Sequence, residues 1–319
     1  MSFSYALFGL SITAHKPLPE LDSEQAKAPA DLTLEAESID AFAHLLDAAG
    51  EGMAASYRED SFAAWMPGIG GLSVRRGRIG VHLASADWDL MRPYLLGMGL
   101  AVAMYQLRVF PHHVSAVAVG DYAVAFTGAS GAGKSTFAYQ WLSQFDAELV
   151  SDDLARIDPS GSQPLIYPGL ARVKLWSDAL RGFSIANEGL SQELRGRDKF
   201  FLENVRRVAR PVPLRALVLL ESEPELGEPR VERLSGAQRV IAARSSLYRP
   251  EFATMLYPEA VLTRELLTLC AALPIYRLVR PRRLELLSEG ARLLHNRLLV
   301  DGVWAEPDGL ANGEPRASG

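Results

Sequence analysis

The pattern of hydrophobic and polar positions is most regular after Pro111. Short apolar runs and helical spacing predict a strand at 114–119, a turn at 120–121, a strand at 123–126, a helix at 134–144 and a strand at 148–150. The first two strands and their turn make a β-hairpin. The order of strand, glycine loop, helix and strand is typical of a nucleotide-binding α/β core.

The first ninety residues and the last third of the chain give weaker signals. Apolar runs between Pro- and Gly-rich breaks predict strands within 3–12, 72–74 and 79–83, and helical spacing after an acidic start predicts a helix at 36–49. Residues 88–107 predict a buried helix that Pro93 interrupts early. Further on, the pattern predicts a strand at 214–220 and amphipathic helices at 264–272 and 284–298.

Length and composition indicate how the chain is divided into domains. The chain has 319 residues, 48% hydrophobic and 22% charged, which excludes disorder as its main state and is long enough for two domains. We expect a smaller N-terminal α+β region at 1–92, which has a role in acceptor binding, and an α/β domain at 93–304. Residues 305–319, rich in Gly, Pro and Ala, predict a disordered tail.

Charge and cysteine content limit the classes of partner. The formal net charge of −5 gives no overall positive field for nucleic acid or anionic lipid. The longest apolar run, Tyr94 to Tyr105, is too short for a membrane helix, which needs about 20 residues. The N-terminus lacks the basic residues of a signal peptide, and the single Cys270 suits a reducing compartment. We therefore expect a cytoplasmic protein with no nucleic-acid or membrane partner.

The strongest motif follows the predicted hairpin and fits G-x-x-x-x-G-K-[ST]. Its residues are Gly128, Ala129, Ser130, Gly131, Ala132, Gly133, Lys134, Ser135 and Thr136. The glycines allow backbone N–H groups to surround a phosphate, Lys134 adds a positive charge, and Ser135 is a Mg²⁺ ligand of the usual kind. A chance Gly-rich turn is the alternative, which the flanking strand and helix disfavour.

Two adjacent carboxylates, Asp152 and Asp153, follow the next predicted strand. One of them is placed to hold Mg²⁺ from the side of Ser135, and the other to accept a proton from an attacking hydroxyl. A turn or helix cap is the alternative for such a pair.

The order and spacing of His113, the glycine motif and the segment from Leu149 to Asp153 resemble the catalytic domain of HPr kinase/phosphorylase. The resemblance covers about Pro111 to Asp158 and thins elsewhere, as in a divergent branch. It implies a P-loop kinase core of the HPr kinase/PEP carboxykinase type.

The resemblance also implies the site roles. Asp152 is the general base, Asp153 supports Mg²⁺ with Ser135, and His113 assists near the transferred phosphate, although His113 can equally be a strand cap. The segment from Gly196 to Phe200 differs from the family's Gly-Arg-Asn-Leu segment, which puts the reverse phosphorylase reaction in doubt. Within it, Lys199 supplies a cation to the γ-phosphate or is a solvated loop charge.

Together these observations favour an ATP-dependent kinase that transfers a phosphate to a serine hydroxyl of a small protein or peptide, with ATP and Mg²⁺ at the site. The alternatives are a small-molecule kinase and an ATP-binding switch that transfers nothing. The acceptor is not identified by the sequence, and the family resemblance suggests a homo-oligomer. The arginines near the C-terminus are expected to be solvated, with phosphate or an acidic partner as the alternative: Arg277, Arg280, Arg282 and Arg283.

Overall fold

Three β-sheets, of seven, nine and two strands, with helices packed against them make up the part of the chain that the computed structural model describes, residues 2–23, 29–50, 52–58, 60–193 and 198–303. The strands are β1 (Phe3–Leu7), β2 (Leu10–Ala14), β3 (Leu32–Ala36), β4 (Ala54–Arg58), β5 (Ser61–Met66), β6 (Gly70–Arg75), β7 (Arg78–Leu83), β8 (Pro111–His112), β9 (Ser115–Val119), β10 (Tyr122–Thr127), β11 (Glu148–Ser151), β12 (Ala155–Asp158), β13 (Leu165–Ile166), β14 (Val173–Trp176), β15 (Lys199–Leu202), β16 (Val212–Ser222), β17 (Arg230–Arg233) and β18 (Ile275–Arg280). The helices are α1 (Ala43–Ala49), α2 (Trp88–Tyr94), α3 (Leu100–Gln106), α4 (Lys134–Gln144), α5 (Ser177–Gly182), α6 (Gly236–Ser245), α7 (Pro250–Leu256), α8 (Glu259–Ala272) and α9 (Leu287–Val300). The fold is therefore mixed α/β.

The N-terminal sheet has the strand order β1-β2-β3-β7-β6-β5-β4. The apolar run at 3–12 forms two antiparallel strands, because Phe8 and Gly9 both take positive φ and reverse the chain between them. The predicted helix at 36–49 is shorter than expected: β3 extends to Ala36, and a 3-10 turn at Ile39–Phe42 leads into α1.

The predicted buried helix at 88–107 is confirmed. It consists of α2 with Pro93 inside it, a π-helical turn at Leu95–Gly99, and α3, which is almost wholly buried. Side chains of this span lie in one hydrophobic cluster with strands of the two larger sheets. The division into two domains stays a prediction, and its boundary at residues 92 and 93 falls inside α2.

The second sheet carries the predicted nucleotide-binding pattern. Its order is β11-β9-β10-β16-β13-β12-β8, with β18 parallel to β16 and β17 beside β18. Because β10, β16 and β18 are parallel, and β11 and β10 both pair antiparallel with β9, the carboxyl ends of these strands meet at one edge of the sheet.

Helices α4 and α9 cover one face of this second sheet. Phe126 of β10, Phe137 and Trp141 of α4 and Leu294 of α9 are fully buried in one cluster there. The predicted hairpin, the helix at 134–144 and the strands near 148–150 and 214–220 are confirmed. The helices predicted at 264–272 and 284–298 correspond to α8 and α9.

Among the described residues, no helix has both the length and the apolar composition needed to cross a bilayer. The cytoplasmic location stays a prediction. The tail predicted at 305–319 lies outside the described residues.

Candidate active site

The glycine motif forms the turn between β10 and α4, at the shared carboxyl edge of the sheet. Gly128, Gly131 and Gly133 take φ values of 145°, 80° and 82°, conformations that residues with a Cβ rarely adopt. Space is restricted as well: a Cβ on Gly128 would lie 2.6 Å from the carbonyl oxygen of Leu220. These glycines therefore allow the loop to curl tightly against the end of β16.

Lys134, the first residue of α4, is 7% exposed. Its Nζ donates hydrogen bonds to the carbonyl oxygens of Gly128 and Ala129, at 3.0 and 3.3 Å, so the ammonium group lies inside the loop. Burial lowers the pKa of Lys134, against the opposing effect of Asp153 and Asp152. The loop therefore holds a cation that the neighbouring carboxylates help to keep charged.

Two arginines at the end of β18 reach the same loop: Arg280, its last residue, and Arg282, two residues beyond it. Arg280 Nη2 donates to the carbonyl oxygen of Ala132 at 2.9 Å, and Arg282 Nη2 donates to that of Gly131 at 3.0 Å. Arg280 is 6% exposed, so the expectation that it is solvated was wrong. The reason is the strand order, because β18 ends beside β16 at the edge where the loop begins.

Arg280 has an unusual environment for a buried cation. None of the ion pairs between described residues includes Arg280, and its Nε has no hydrogen-bond partner. Burial, reinforced by the like charge of Arg282, lowers the pKa of Arg280 to about 10. A buried guanidinium without a carboxylate is costly in free energy, and an anion beside the loop would offset that cost.

Asp152 follows β11 and is 4% exposed. One of its carboxylate oxygens accepts a hydrogen bond from the hydroxyl of Ser115, and the other accepts one from the backbone N–H of Lys174 at 2.8 Å. Both partners are neutral donors. They fix the orientation of the carboxylate without neutralising its charge.

Asp153 has charged partners instead. Its Oδ2 lies 2.7 Å from Lys174 Nζ, and its Oδ1 lies 3.3 Å from His113 Nε2. Burial alone would raise the pKa of Asp153, but Lys174 and His113 hold it well below its usual range. Asp153 also takes a φ of 76°, a strained backbone conformation for a residue other than glycine. The side chain is therefore a permanent anion near neutral pH.

The two adjacent histidines have different environments. His112 is 4% exposed, and its Nδ1 lies 2.9 Å from the Ser246 hydroxyl. Burial lowers the pKa of His112 to about 4, so this ring is neutral and packs in the interior. His113 is half-buried between Asp153 and the ring edge of Tyr248. Of the two, only His113 lies beside the carboxylates.

Lys199 opens β15, which pairs with β14 in a separate hairpin. Its Nζ lies 5.8 Å from the ring centre of Trp176, its partner across the hairpin. Its charge contributes to lowering the pKa of Lys134. The hairpin therefore lies near the loop, and the catalytic role of Lys199 stays a prediction.

The metal site expected from the sequence consists of Ser135 and Asp153. Ser135 is half-buried on the first turn of α4, next to Lys134. A hydroxyl and a carboxylate are hard oxygen donors of the kind Mg²⁺ takes, usually one or two from protein with phosphate oxygens and waters completing the octahedron. No group of three or more His, Cys, Asp or Glu side chains suited to a metal occurs in the described part of the chain. Ser135 and Asp153 are both donors of the kind Mg²⁺ takes, but the two Asp153 oxygens already face Lys174 and His113, so the metal site stays a prediction.

A cavity of about 340 Å³ opens beside the two carboxylates. We call it the aspartate cavity. Asp152 and Asp153 are part of its wall, Tyr94 and Met98 come from the N-terminal side, and Arg172 comes from the segment before β14. A second molecule in this cavity would therefore lie next to both carboxylates.

Comparison with known proteins adds little to this geometry. No protein-family model matches the chain, and no curated protein matches it. Among solved structures, the Hpr(Ser) kinase/phosphatase from Coxiella burnetii aligns over 60% of this chain and 98% of its own, with 12% sequence identity and a TM-score of 0.33. At this similarity nothing about activity or substrate passes from that protein to this chain.

Proposed function

We propose that the protein is an ATP-dependent kinase that transfers the γ-phosphate to a serine hydroxyl of a small protein or peptide. The observation that carries the proposal is the meeting of Lys134, Arg280 and Arg282 around one glycine loop, with Asp152 and Asp153 beside a cavity on the adjoining strand end. Cations around a loop bind phosphate, and a carboxylate beside a cavity accepts a proton. A kinase needs both.

The three cations approach the nucleotide phosphates from two sides of the loop. Lys134 contributes its charge from within the loop, while Arg280 and Arg282 contribute theirs from the side of β18. Phosphoryl transfer spreads negative charge over the oxygens of the moving group, so fixed cations stabilise the transition state. Mg²⁺, when bound by Ser135 and Asp153, would supply further neutralisation of phosphate charge.

The chemical step breaks the bond between the γ-phosphorus and its bridging oxygen and forms a bond from phosphorus to the acceptor oxygen. ADP leaves with the bridging oxygen, and the hydroxyl proton passes to Asp152. Asp152 suits this role because its hydrogen-bond donors, Ser115 and the Lys174 backbone, are neutral. Asp153 is a weaker base, since Lys174 and His113 hold its pKa low.

A small-molecule kinase is the second candidate, and the shape of the aspartate cavity favours it. The cavity is about 340 Å³, and its wall includes Met53 of the N-terminal region and Tyr94 at the end of α2. That volume lies in the range of small-ligand sites. The acceptor must therefore reach Asp152 as a slender group, either a whole small molecule or the end of a peptide.

Labelling with γ-³²P-ATP tests the proposal. The purified protein is incubated with Mg²⁺, labelled ATP and, separately, the small-molecule and macromolecular fractions of a cell extract. We expect acid-stable, alkali-labile label in one fraction, which is the behaviour of a serine phosphate, and loss of labelling with EDTA.

Lys134→Ala is the matched variant for this experiment. We expect it to fold and to lose at least about 10²-fold in labelling, because it removes the loop cation. Labelling at the wild-type rate by this variant would refute the phosphate-loop assignment. ATP binding without label in either fraction would favour the nucleotide switch instead.

A further inference from the structure

Arg172 is a buried cation on the wall of the aspartate cavity. The residue is 9% exposed, and its Nε is buried without a hydrogen-bond partner. Its guanidinium carbon lies over the Phe201 ring, 3.8 Å from the ring centre. Arg172 and Phe201 separate the aspartate cavity from a neighbouring pocket that Glu20 and Arg92 line, so Arg172 is part of the wall of both.

The acidic side chain nearest Arg172 is already engaged. Glu20 Oε1 lies 2.7 Å from Arg92 Nε and 3.8 Å from Arg172 Nη1, so two guanidinium groups share one carboxylate. A charge-assisted hydrogen bond from nitrogen to oxygen is about 2.7–2.9 Å long. Arg92 therefore has the hydrogen bond, and Arg172 has only a loose ion pair.

The position of Arg172 relative to the carboxylates follows from the strand. Lys174, which binds Asp153, lies two residues further along, and both Arg172 and Lys174 lie over the ring of Phe201. They therefore project from the same face of the hairpin. Because Lys174 also donates its backbone N–H to Asp152, the segment that carries Arg172 runs along the two carboxylates.

From these observations we infer that Arg172 binds a carboxylate of the acceptor, while the acceptor's hydroxyl lies at Asp152. The acceptor is thus a hydroxyl compound that also carries a carboxylate. A free hydroxy acid and the C-terminal residues of a peptide share this chemistry. The inference rests on the proposed kinase function and names the class of its acceptor.

Matched pairs of carboxylic acid and primary amide test the inference. The probes are ω-hydroxy acids of graded chain length and serine peptides with a free or amidated C-terminus, titrated by calorimetry with Mg²⁺ and the β,γ-imido analogue of ATP. We expect the acids to bind about 10- to 100-fold more tightly than their amides, the effect of one charge-assisted contact. A preference within the hydroxy acids identifies a small molecule, and one within the peptides identifies a C-terminus.

Variants separate recognition from folding. Arg172→Gln should bind acid and amide equally, and Arg172→Lys should recover part of the preference because it keeps the charge. Arg92→Gln leaves Glu20 free to pair with Arg172 and should therefore weaken the preference. The wild-type comparison needs no variant, so the test holds even if Arg172→Gln fails to fold.

Two results would overturn the inference: equal binding of acid and amide by the wild-type protein, or no binding by any probe. The kinase proposal fails in a different way. Acid-selective binding without ATP-dependent phosphorylation of any probe would leave the carboxylate site standing and refute the transfer reaction. Equal phosphorylation of acids and amides would support the transfer reaction and refute the carboxylate site.

Discussion

Arg280 and Ala132 are 148 residues apart in the sequence, and the guanidinium of the first donates a 2.9 Å hydrogen bond to the carbonyl oxygen of the second. The contact joins the end of β18 to the glycine loop. It also directs a buried positive charge to the place where phosphate is expected. Substitutions at Arg280 and at Gly133 test whether this contact matters for ATP binding.

Arg280→Met should weaken ATP binding while leaving the fold at least as stable. The methionine keeps an apolar stem against Phe137 but removes a buried charge that has no acidic partner, so the desolvation cost is relieved. We expect the ATP dissociation constant to rise about 10- to 100-fold, the effect of one charge-assisted contact. Calorimetry with ATP and a thermal unfolding curve without nucleotide measure the two effects.

Arg283→Gln is the control for this prediction, because Arg283 is a nearby exposed arginine. Arg283→Gln should change neither the ATP dissociation constant nor the thermal unfolding temperature. If Arg280→Met bound ATP as well as the wild-type protein, Arg280 would have no part in phosphate binding.

Gly133→Ala should weaken ATP binding by more than the backbone strain at this position would explain. Gly133 has a φ of 82°, and a Cβ there would lie 2.4 Å from Arg280 Nη2. Gly189 has a nearly identical φ of 83°, with no atom within 4 Å of its Cβ position. Gly189→Ala therefore measures the strain alone, about 1–2 kcal/mol of unfolding free energy.

We expect Gly133→Ala to lose ATP affinity at least tenfold and Gly189→Ala to keep it, with calorimetry as the measurement. Equal affinity of the two variants would show that Arg280 moves aside freely. In that case the contact between Arg280 and the loop would not matter for binding.

The parts of the site that are local in sequence could be predicted, and the parts that depend on strand order could not. The loop from Gly128 to Thr136 and the pair of Asp152 and Asp153 are contiguous motifs next to predicted strands. Lys174 and Arg280 join the site only because β14 packs near β11 and β18 pairs with β16. One signal was available for Arg280, namely an arginine that ends an apolar strand at 275–279.

The N-terminal region was harder to predict for a related reason. Its strands at Ala54–Arg58 and Ser61–Met66 are short and form a hairpin, and the hairpin joins a sheet in which β7 pairs with the distant β3. This region supplies Met53 to the aspartate cavity, and the helical span that follows it supplies Tyr94 and Met98. No local pattern shows that the π-helical turn and the carboxylates line one cavity, because that arrangement arises from packing between distant segments.

The low pKa of the buried His112 predicts that the folded protein loses stability in acid. Its pKa is about 4 in the folded protein and about 6.5 when exposed, so below pH 6.5 the unfolded chain binds a proton that the folded chain does not. The contribution of His112 to the free energy of unfolding is therefore complete above pH 6.5. It is lost progressively as the pH decreases toward 4. The slope approaches about 1.4 kcal/mol per pH unit, or roughly 3 kcal/mol over the range.

His112→Asn tests this, because the asparagine can keep the hydrogen bond to Ser246 and does not titrate. Urea unfolding at pH 7 and pH 4.5 should show a smaller loss for this variant than for the wild-type protein. His44→Asn, at an exposed position, serves as the control and should lose as much as the wild type. A loss for His112→Asn as large as that of the wild type would place the acid sensitivity elsewhere.

Asp152→Asn separates a kinase from a nucleotide-binding switch. The amide can keep both hydrogen bonds, since its oxygen can face the N–H of Lys174 and the hydroxyl of Ser115 can rotate to accept from its NH₂ group. The fold and the loop should therefore persist. What disappears is the ability to take the acceptor's proton, which contributes about 10²–10⁴-fold to such reactions.

We expect transfer to the acceptor found by labelling to fall by roughly that factor, while the ATP dissociation constant changes only a few-fold. Ser115→Ala is the matched control, because it removes one hydrogen bond to Asp152 and leaves the carboxylate in place. Its transfer rate should fall far less. If Asp152→Asn lost ATP binding and transfer in parallel, Asp152 would hold the metal or the fold, and the proton would have to pass to Asp153 or His113.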